Sequence, residues 1–209
     1  MKNILKSICV AAALVPAFAH ANLLVNGDFE TPNVGSGNFQ ILFGNALTGW
    51  TAGANGVEVR NQLAGNANTG IQYVELDTTA NSSISQSVAT TIGQNYLLTF
   101  AYSPRTDVAA TSNPIDVFWE GNLLTNLTGN GVGNSGNVWQ NFSFIVASTS
   151  ALSSLRFAAA GTSDSLGGSL DSASLVRSDV PEPATTALLG LGLLGLAALR
   201  RKTAAGKQA

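Results

Sequence analysis

Eight segments of the chain alternate between apolar and polar residues with a period of two, the pattern of a half-buried β-strand. Short stretches of Gly, Asn, Ser and Thr separate them and are typical of turns. The segments cover residues 57–60, 73–77, 84–88, 96–102, 115–119, 142–146, 155–159 and 169–176. The pattern predicts an all-β antiparallel sandwich over residues 22–178, with the Gly-rich stretch 129–136 as a flexible connection.

Residues 1–21 have the composition of an export signal. Lys2 and Lys6 flank the start of an apolar stretch at residues 8–18, and Ala19-His20-Ala21 places small residues at the cleavage positions. We therefore predict that the signal peptide is removed after Ala21. An uncleaved N-terminal anchor is the alternative.

Residues 179–203 read as three consecutive parts of one signal. An uncharged run at residues 184–199 extends about 24 Å as a helix, somewhat less than the ~30 Å hydrocarbon core of a bilayer. The motif before the run is Pro181, Glu182 and Pro183, and the basic residues after it are Arg200, Arg201 and Lys202. This order resembles the PEP-CTERM sorting signal of Gram-negative bacteria.

That resemblance implies recognition by an exosortase, cleavage near the Pro-Glu-Pro motif, and transfer to the cell surface or an extracellular matrix. Before processing, the apolar run would hold the chain in the membrane as a single-pass helix, with residues 204–209 as a cytoplasmic tail. A permanent single-span anchor without processing is the alternative.

The composition of the exported domain excludes several kinds of chemistry. The only His and Cys residues, His20 and Cys9, lie in the signal peptide, so residues 22–179 have no disulfide, no Ser-His-Asp triad and no zinc site with His or Cys ligands. Residues 22–179 carry eleven acidic and four basic side chains, a net charge of −7. A nucleic-acid partner is excluded because nucleic-acid binding requires a basic surface.

The domain also carries an ordered series of short motifs. They are NLLVNGDFE at 22–30, Gly49-Trp50, GIQYVEL at 70–76, Ile84-Ser85-Gln86, GQNYLLTF at 93–100, Arg105, Trp139 with Phe142 and Phe144, and GSLD at 168–171. The series resembles the choice-of-anchor surface domains and their plant cell-wall relatives, a superfamily of galactose-binding-like jelly rolls, over nearly all of residues 22–178. The paired cysteines of the plant proteins are missing.

The same resemblance implies a structural calcium site. In similar jelly rolls the acid of the opening motif and the acid of the last strand bind one Ca²⁺ together with backbone carbonyls, and Glu30 and Asp171 match these positions. Carboxylate and carbonyl oxygens are the ligands that Ca²⁺ prefers. The alternative is that the two acids are ordinary polar residues or pair with Arg177.

Four side chains are candidates for contact with a sugar: Trp139, Trp119, Tyr102 and Arg105. Trp119 shares a face with Ile115 and Val117, which favours the core, as does the position of Trp50. Trp139 follows the Gly-rich stretch and is out of phase with the strand after it. Arg105 follows a strand end, where it forms an ion pair with Asp107 or Asp116 or donates hydrogen bonds to sugar hydroxyls. Phe39 and Phe43, like Tyr102, lie near predicted loops and are further candidates for contact with a sugar.

Three functions agree with these features. The first is a non-catalytic surface or matrix protein whose jelly roll binds extracellular polysaccharide, and the second is a structural or adhesive protein without a sugar site. The third is a glycosidase with two catalytic carboxylates, for which Glu75 with Asp77 and Asp116 with Glu120 share faces of their strands. We expect the first function and no enzymatic activity.

Overall fold

A computed structural model describes residues 21–178 of the protein. The predicted signal peptide, apart from Ala21, and the predicted sorting signal with Pro181, Glu182, Pro183, Arg200 and Arg201 lie outside the described residues. Within residues 21–178, no helix has the length and hydrophobicity needed to cross a membrane.

Within residues 21–178, eleven antiparallel strands form two sheets. The strands are β1 Phe39–Leu42, β2 Thr51–Ala52, β3 Val57–Asn61, β4 Gln72–Glu75, β5 Ser83–Ala89, β6 Asn95–Ser103, β7 Ile115–Trp119, β8 Asn122–Leu127, β9 Gln140–Ala147, β10 Leu152–Ala159 and β11 Ser169–Arg177. Sheet A has the order β1-β3-β4-β11-β6-β9, and sheet B has the order β2-β5-β10-β7-β8. The predicted all-β sandwich is confirmed.

The period of two in the sequence explains the core between the sheets. Along β6, Tyr96, Leu98, Phe100 and Tyr102 are buried and face sheet B, whereas the residues between them face outward. Phe100 meets Phe157 of β10 edge to face, with ring centroids 5.1 Å apart. Because each sheet supplies one apolar face, residues 21–178 enclose a single continuous core.

The first and last segments of the domain are bonded to each other. The backbone N–H of Leu23 donates to the carbonyl of Leu175 at 2.8 Å, and that of Ala173 donates to the carbonyl of Gly27 at 2.7 Å. A Cβ atom at Gly27 would overlap the carbonyl of Ala173, so only glycine permits this approach. The opening motif therefore lies along β11, at an irregularity in register between Asp171 and Ser174.

The Gly-rich stretch 129–136 connects β8 to β9, as predicted. It is anchored to the segment after β6, because Gly131 exchanges backbone hydrogen bonds with Val108 and Asp107 at 2.9 Å each. The N–H of Gly133 also donates to the Asp107 carboxylate at 3.1 Å. These bonds place the connection beside Arg105.

Candidate functional site

An open cleft of about 500 Å³ lies on the outer face of sheet A, the face that points away from the core. Strands β1 and β3 form its floor, and the segments after β3, β4 and β6 and before β11 surround it. Its lining residues are Phe39, Ile41, Glu58, Arg60, Leu63, Ala64, Thr78, Arg105 and Ser165. The cleft therefore combines an aromatic and aliphatic wall with two guanidinium groups.

A buried carboxylate, Glu75, holds the two arginines of the cleft. Glu75 is fully buried on β4, and its Oε2 lies 2.7 Å from Nη2 of Arg60. Nη1 of Arg105 donates to both oxygens of Glu75 at 2.7 Å, and the N–H of Gly167 donates to Oε1 at 2.6 Å. Arg60 also donates from Nε to Glu58 at 2.8 Å. We call Glu58, Arg60, Glu75 and Arg105 the ion cluster.

The ion cluster has an unusual protonation equilibrium. Burial raises the pKa of Glu75 to about 7, although Arg60, Arg105 and the N–H of Gly167 act in the opposite direction. Burial is the largest influence because removing a carboxylate from water disfavours its charged form. The charge of the cluster therefore changes near neutral pH.

Arg105 does not pair with Asp107 or Asp116, the partners predicted from sequence. Asp107 accepts from Gly133, and Asp116 accepts from Asn126 at 2.7 Å. Arg105 reaches Glu75 instead, because the ends of β4 and β6 both adjoin the start of β11. Its Nη1 also donates to the carbonyl of Ser165, while Nε and Nη2 donate to no other described residue. Arg105 lines the cleft, and its side chain is 21% exposed.

The three predicted aromatic candidates lie in different environments. Trp119 is only 6% exposed and donates from Nε1 to the carbonyl of Ala147 at 2.8 Å. Tyr102 is fully buried and donates to the carbonyl of Asn113 at 3.1 Å. Both rings belong to the core between the sheets, so neither offers a face to a sugar, which corrects the role assigned to them from sequence. The buried position of Trp50 in the core is confirmed.

Trp139 is half-buried above the outer face of sheet A. Its Nε1 donates to the carbonyl of Asn66 at 2.9 Å, and its ring meets Tyr73 edge to face with centroids 5.7 Å apart. Tyr73 in turn donates to the carbonyl of Leu63, a residue that lines the cleft. Trp139 therefore supports the segment after β3 that forms one wall of the cleft.

Glu30 and Asp171, the predicted calcium ligands, both bind the segment that precedes β4. Oε1 of Glu30 accepts from the N–H groups of Ile71 and Gln72 at 2.7 and 2.8 Å. Oδ2 of Asp171 accepts from those of Asn68 and Thr69 at 2.7 and 3.0 Å. Both acids therefore accept from backbone N–H groups of the same short segment, residues 68–72, and the shared calcium site stays a prediction.

Burial raises the pKa of Asp171 to about 7, and the nearby charge of Glu30 adds to the increase, against the lowering effect of three backbone hydrogen bonds. Neither acid forms an ion pair with an arginine of the described domain. Within residues 21–178, no group of three or more His, Cys, Asp or Glu side chains is arranged so that it could hold a metal ion. A cation here would need backbone or amide oxygens in addition to the two carboxylates.

The other predicted carboxylate pairs serve the structure of loops. Asp77 accepts from the N–H groups of Asp164 and Ser165 at 2.9 and 3.1 Å. Glu120 accepts from Ser153 at 2.5 Å and from the backbone and hydroxyl of Thr149. Each acid thereby fixes a connection that is distant in sequence.

Sequence reasoning missed the residues that complete the cleft, namely Ile41, Glu58, Arg60 and Leu63. Glu58 and Arg60 alternate with Val57 and Val59 on β3, so the sequence predicts that Glu58 and Arg60 lie on the same face of the strand. Their burial could not be predicted from the sequence, because it depends on packing with segments distant in sequence, such as β4 with Glu75.

The fold and the cleft define this protein as a jelly-roll β-sandwich with an open site on its six-stranded sheet. The chain belongs to the family described as protein of unknown function DUF642, whose model matches residues 22–170. Residues 179–202 match the PEP-CTERM protein-sorting motif, which identifies the chain as an exported protein of the exosortase-sorted kind. The resemblances predicted from sequence are confirmed. No curated protein matches the chain.

The chain is similar to solved structures at low sequence identity. An arabinose-bound α-L-arabinofuranosidase, MgGH51, is 13% identical with a TM-score of 0.51, over 76% of this chain and 26% of that chain. The module TmCBM61, solved in complex with β-1,4-galactotriose, is 19% identical with a TM-score of 0.48, over 76% and 99%. A family 35 carbohydrate-binding module from Clostridium thermocellum is 15% identical with a TM-score of 0.44, over 68% and 99%.

Proposed function

We propose that this protein is an exported, non-catalytic polysaccharide-binding protein and that the cleft on sheet A is its binding site. The observation that carries the proposal is an open cleft that both Phe39 and Arg105 line. Phe39 is 54% exposed, and Arg105 keeps two donor groups without a partner among the described residues. A sugar presents apolar C–H groups and hydroxyls together, which suits an apolar wall next to a few fixed polar groups.

The ion cluster supports binding rather than catalysis. A catalytic acid must exchange a proton with its substrate within hydrogen-bond reach. Both oxygens of Glu75 already accept from Arg60, Arg105 or Gly167, and Glu75 has no exposed surface. The raised pKa of Glu75 is therefore assigned to its structural burial. The cluster holds the Arg105 guanidinium in a fixed orientation, so a ligand meets a preorganised donor.

The PEP-CTERM motif supports a location at the cell envelope or in an extracellular matrix, after export and processing by an exosortase. Polysaccharide at the surface or in the matrix would then be within reach of the cleft. The net charge of −7 over residues 22–179 agrees with a neutral glycan better than with a strongly anionic one.

We also propose a structural Ca²⁺ held by Glu30 and Asp171. Two nearby carboxylates without a described arginine partner form a site of negative potential, and a divalent cation would relieve their mutual repulsion. Because both acids bind residues 68–72, the ion would connect the opening motif, this loop and β11. Its role would be to stabilise the domain that carries the cleft.

The experiment is co-sedimentation of the exported domain, residues 22–178, with polysaccharide from the producing bacterium, in calcium and in EDTA. Phe39→Ala and Arg105→Gln should each reduce binding at least about tenfold, since a loss of 1.4 kcal/mol corresponds to that factor. Phe43→Ala is the matched control, because Phe43 is equally exposed, at 58%, but does not line the cleft. A folded domain that binds no glycan favours the structural or adhesive function, and binding that survives both cleft substitutions places the glycan elsewhere.

A further inference from the structure

The cleft and the point where the chain leaves the domain lie at opposite ends of β11. At the start of this strand, Ser169 is paired with Glu75 of β4 and with Ser103 of β6, next to the cleft. At its other end, Ser178 donates from its backbone to the carbonyl of Asn95 at 2.9 Å. Nine residues of extended strand cover about 30 Å. We call the end of the domain around Ser178 the exit end.

Two turns at the exit end carry exposed apolar side chains. Ile92 lies in the turn between β5 and β6 and is 67% exposed, and Leu152 begins β10 and is 62% exposed. The turns are adjacent, because Thr90 donates to the carbonyl of Ala151 at 3.0 Å. Ile92 and Leu152 are thus exposed apolar side chains at or next to two adjacent turns of the exit end.

Another exposed apolar side chain near the exit end lies on the outer face of sheet A, whereas Leu152, next to the buried Ser153, points to the outer face of sheet B. Ile145 is 58% exposed on β9 and is paired with Leu97 of β6, which is paired with Val176 of β11. The charged groups nearby are Glu120, whose carboxylate accepts from Thr149 and Ser153, and Arg177, which donates to Gln94 at 2.8 Å. In the described residues, the exit end thus carries a few exposed apolar side chains among uncharged polar ones such as Thr90, Thr91 and Ser150, whereas the cleft contains the ion cluster.

The sequence after Ser178 keeps the exit end close to the apolar run at residues 184–199. Six residue steps separate Ser178 from Ala184, and a fully extended chain covers about 20 Å over that length. A connection this short gives the exit end an effective concentration in the millimolar range at the membrane surface. Contacts with the membrane surface that are too weak to hold a free domain there are sufficient for a domain that is tethered by its sorting signal.

We propose that, before processing, the exit end rests on the phospholipid surface through Ile92 and Leu152, so that the cleft faces away from the membrane. The orientation follows from the direction of β11, the position of the apolar turns and the short connection to the sorting signal. It does not depend on what the cleft binds. The cleft would be accessible to extracellular polymer while the protein is still in the membrane.

The test uses the mature chain from Asn22 onward, with its sorting signal, in vesicles of phosphatidylcholine and phosphatidylglycerol. The mature chain lacks Cys9, the only cysteine of the sequence, so a variant with one introduced cysteine can be labelled with a fluorophore at that site alone. Ile92→Cys and Leu152→Cys report on the exit end, and Val132→Cys, 60% exposed in the stretch beside Arg105, is the matched control. Each label is read with a quencher carried by the lipids and with a soluble quencher.

Labels at positions 92 and 152 should lose fluorescence to the lipid-borne quencher and be shielded from the soluble quencher. A label at position 132 should be quenched by the soluble quencher and not by the lipid-borne one. In the double variant Ile92→Asp, Leu152→Cys, the lipid-borne quencher should remove less of the fluorescence at position 152, because a charged side chain at position 92 disfavours contact with the lipids. Equal quenching at all three positions overturns the proposal, as does stronger lipid quenching at position 132. A chain that does not float with the vesicles overturns it too, because the orientation requires the tail to be in the membrane.

Discussion

Removing Arg105 should destabilise the domain in a way that depends on pH. Taking one partner from a buried ion pair costs about 3–5 kcal/mol, because the other charge remains buried. Glu75 keeps the contacts with Arg60 and Gly167, and the Arg105 side chain is 21% exposed, so the cost of Arg105→Ala should be about 2 kcal/mol. For a domain of this size, that lowers Tm by roughly 4–8 °C.

The sign of the pH dependence follows from the raised pKa of Glu75. The folded-state pKa of about 7 exceeds the ordinary value of 4.5, so the wild-type domain loses stability as pH rises between these values. Arg105 favours only the charged form, so its removal raises the pKa of Glu75 further. The variant should therefore be close to the wild type at pH 5 and fall about 2 kcal/mol below it at pH 8.

The assay is urea unfolding of both proteins at pH 5 and pH 8, repeated in the Glu75→Gln background. With a neutral partner, Arg105→Ala should cost less than about 1 kcal/mol at either pH. Arg156→Ala is the control, because Arg156 stacks over the Phe118 ring at 4.0 Å and should show no comparable pH dependence. A cost of Arg105→Ala that is equal at both pH values, or unchanged in the Glu75→Gln background, would refute the reasoning.

Three further outcomes are expected. Gly70→Ala should lower the unfolding free energy by about 2–3 kcal/mol, because Gly70 has φ +64° and a Cβ would overlap the Glu30 carboxylate. Gly133→Ala is the control and should cost only about 1 kcal/mol, because Gly133 has φ +82° but lies in open space. Equal costs for the two substitutions would argue against the overlap. Without calcium, the unfolding free energy should fall as pH rises from 3.8, the ordinary pKa of an Asp side chain, towards about 7, the raised pKa of Asp171. Asp171→Asn should flatten this pH dependence and abolish any rise of Tm with Ca²⁺. An effect of calcium on Tm that persists in the variant would place the ion elsewhere. Trp119→Phe should lower the unfolding free energy by about 1 kcal/mol in thermal unfolding, because the buried hydrogen bond from Trp119 to the carbonyl of Ala147 is lost. Polysaccharide binding should stay unchanged. Weaker binding by a fully folded variant would show that Trp119 belongs to the binding site.

Local patterns in the sequence were sufficient to predict most of the strands. Side-chain alternation is a property of neighbouring residues, so all eight predicted segments correspond to strands, among them β6 with its buried row from Tyr96 to Tyr102. The sequence pattern missed β1, β2 and β8, which lie at the edges of the sheets. Edge strands have one unpaired side and less burial, which weakens the alternation, and β2 has only two residues.

The sorting motif and the absence of His and Cys from residues 22–179 were determined by the sequence alone, because each depends on the order or identity of nearby residues. The signal peptide of residues 1–21 depends on the sequence in the same way and stays a prediction. The identity of charge partners was decided only by the tertiary structure. Arg105 has two acids close in sequence but pairs with Glu75, thirty residues away, because pairing with β11 brings the ends of β4 and β6 together. The cleft likewise exists only where segments distant in sequence meet, since burial and electrostatic contact depend on distance in space.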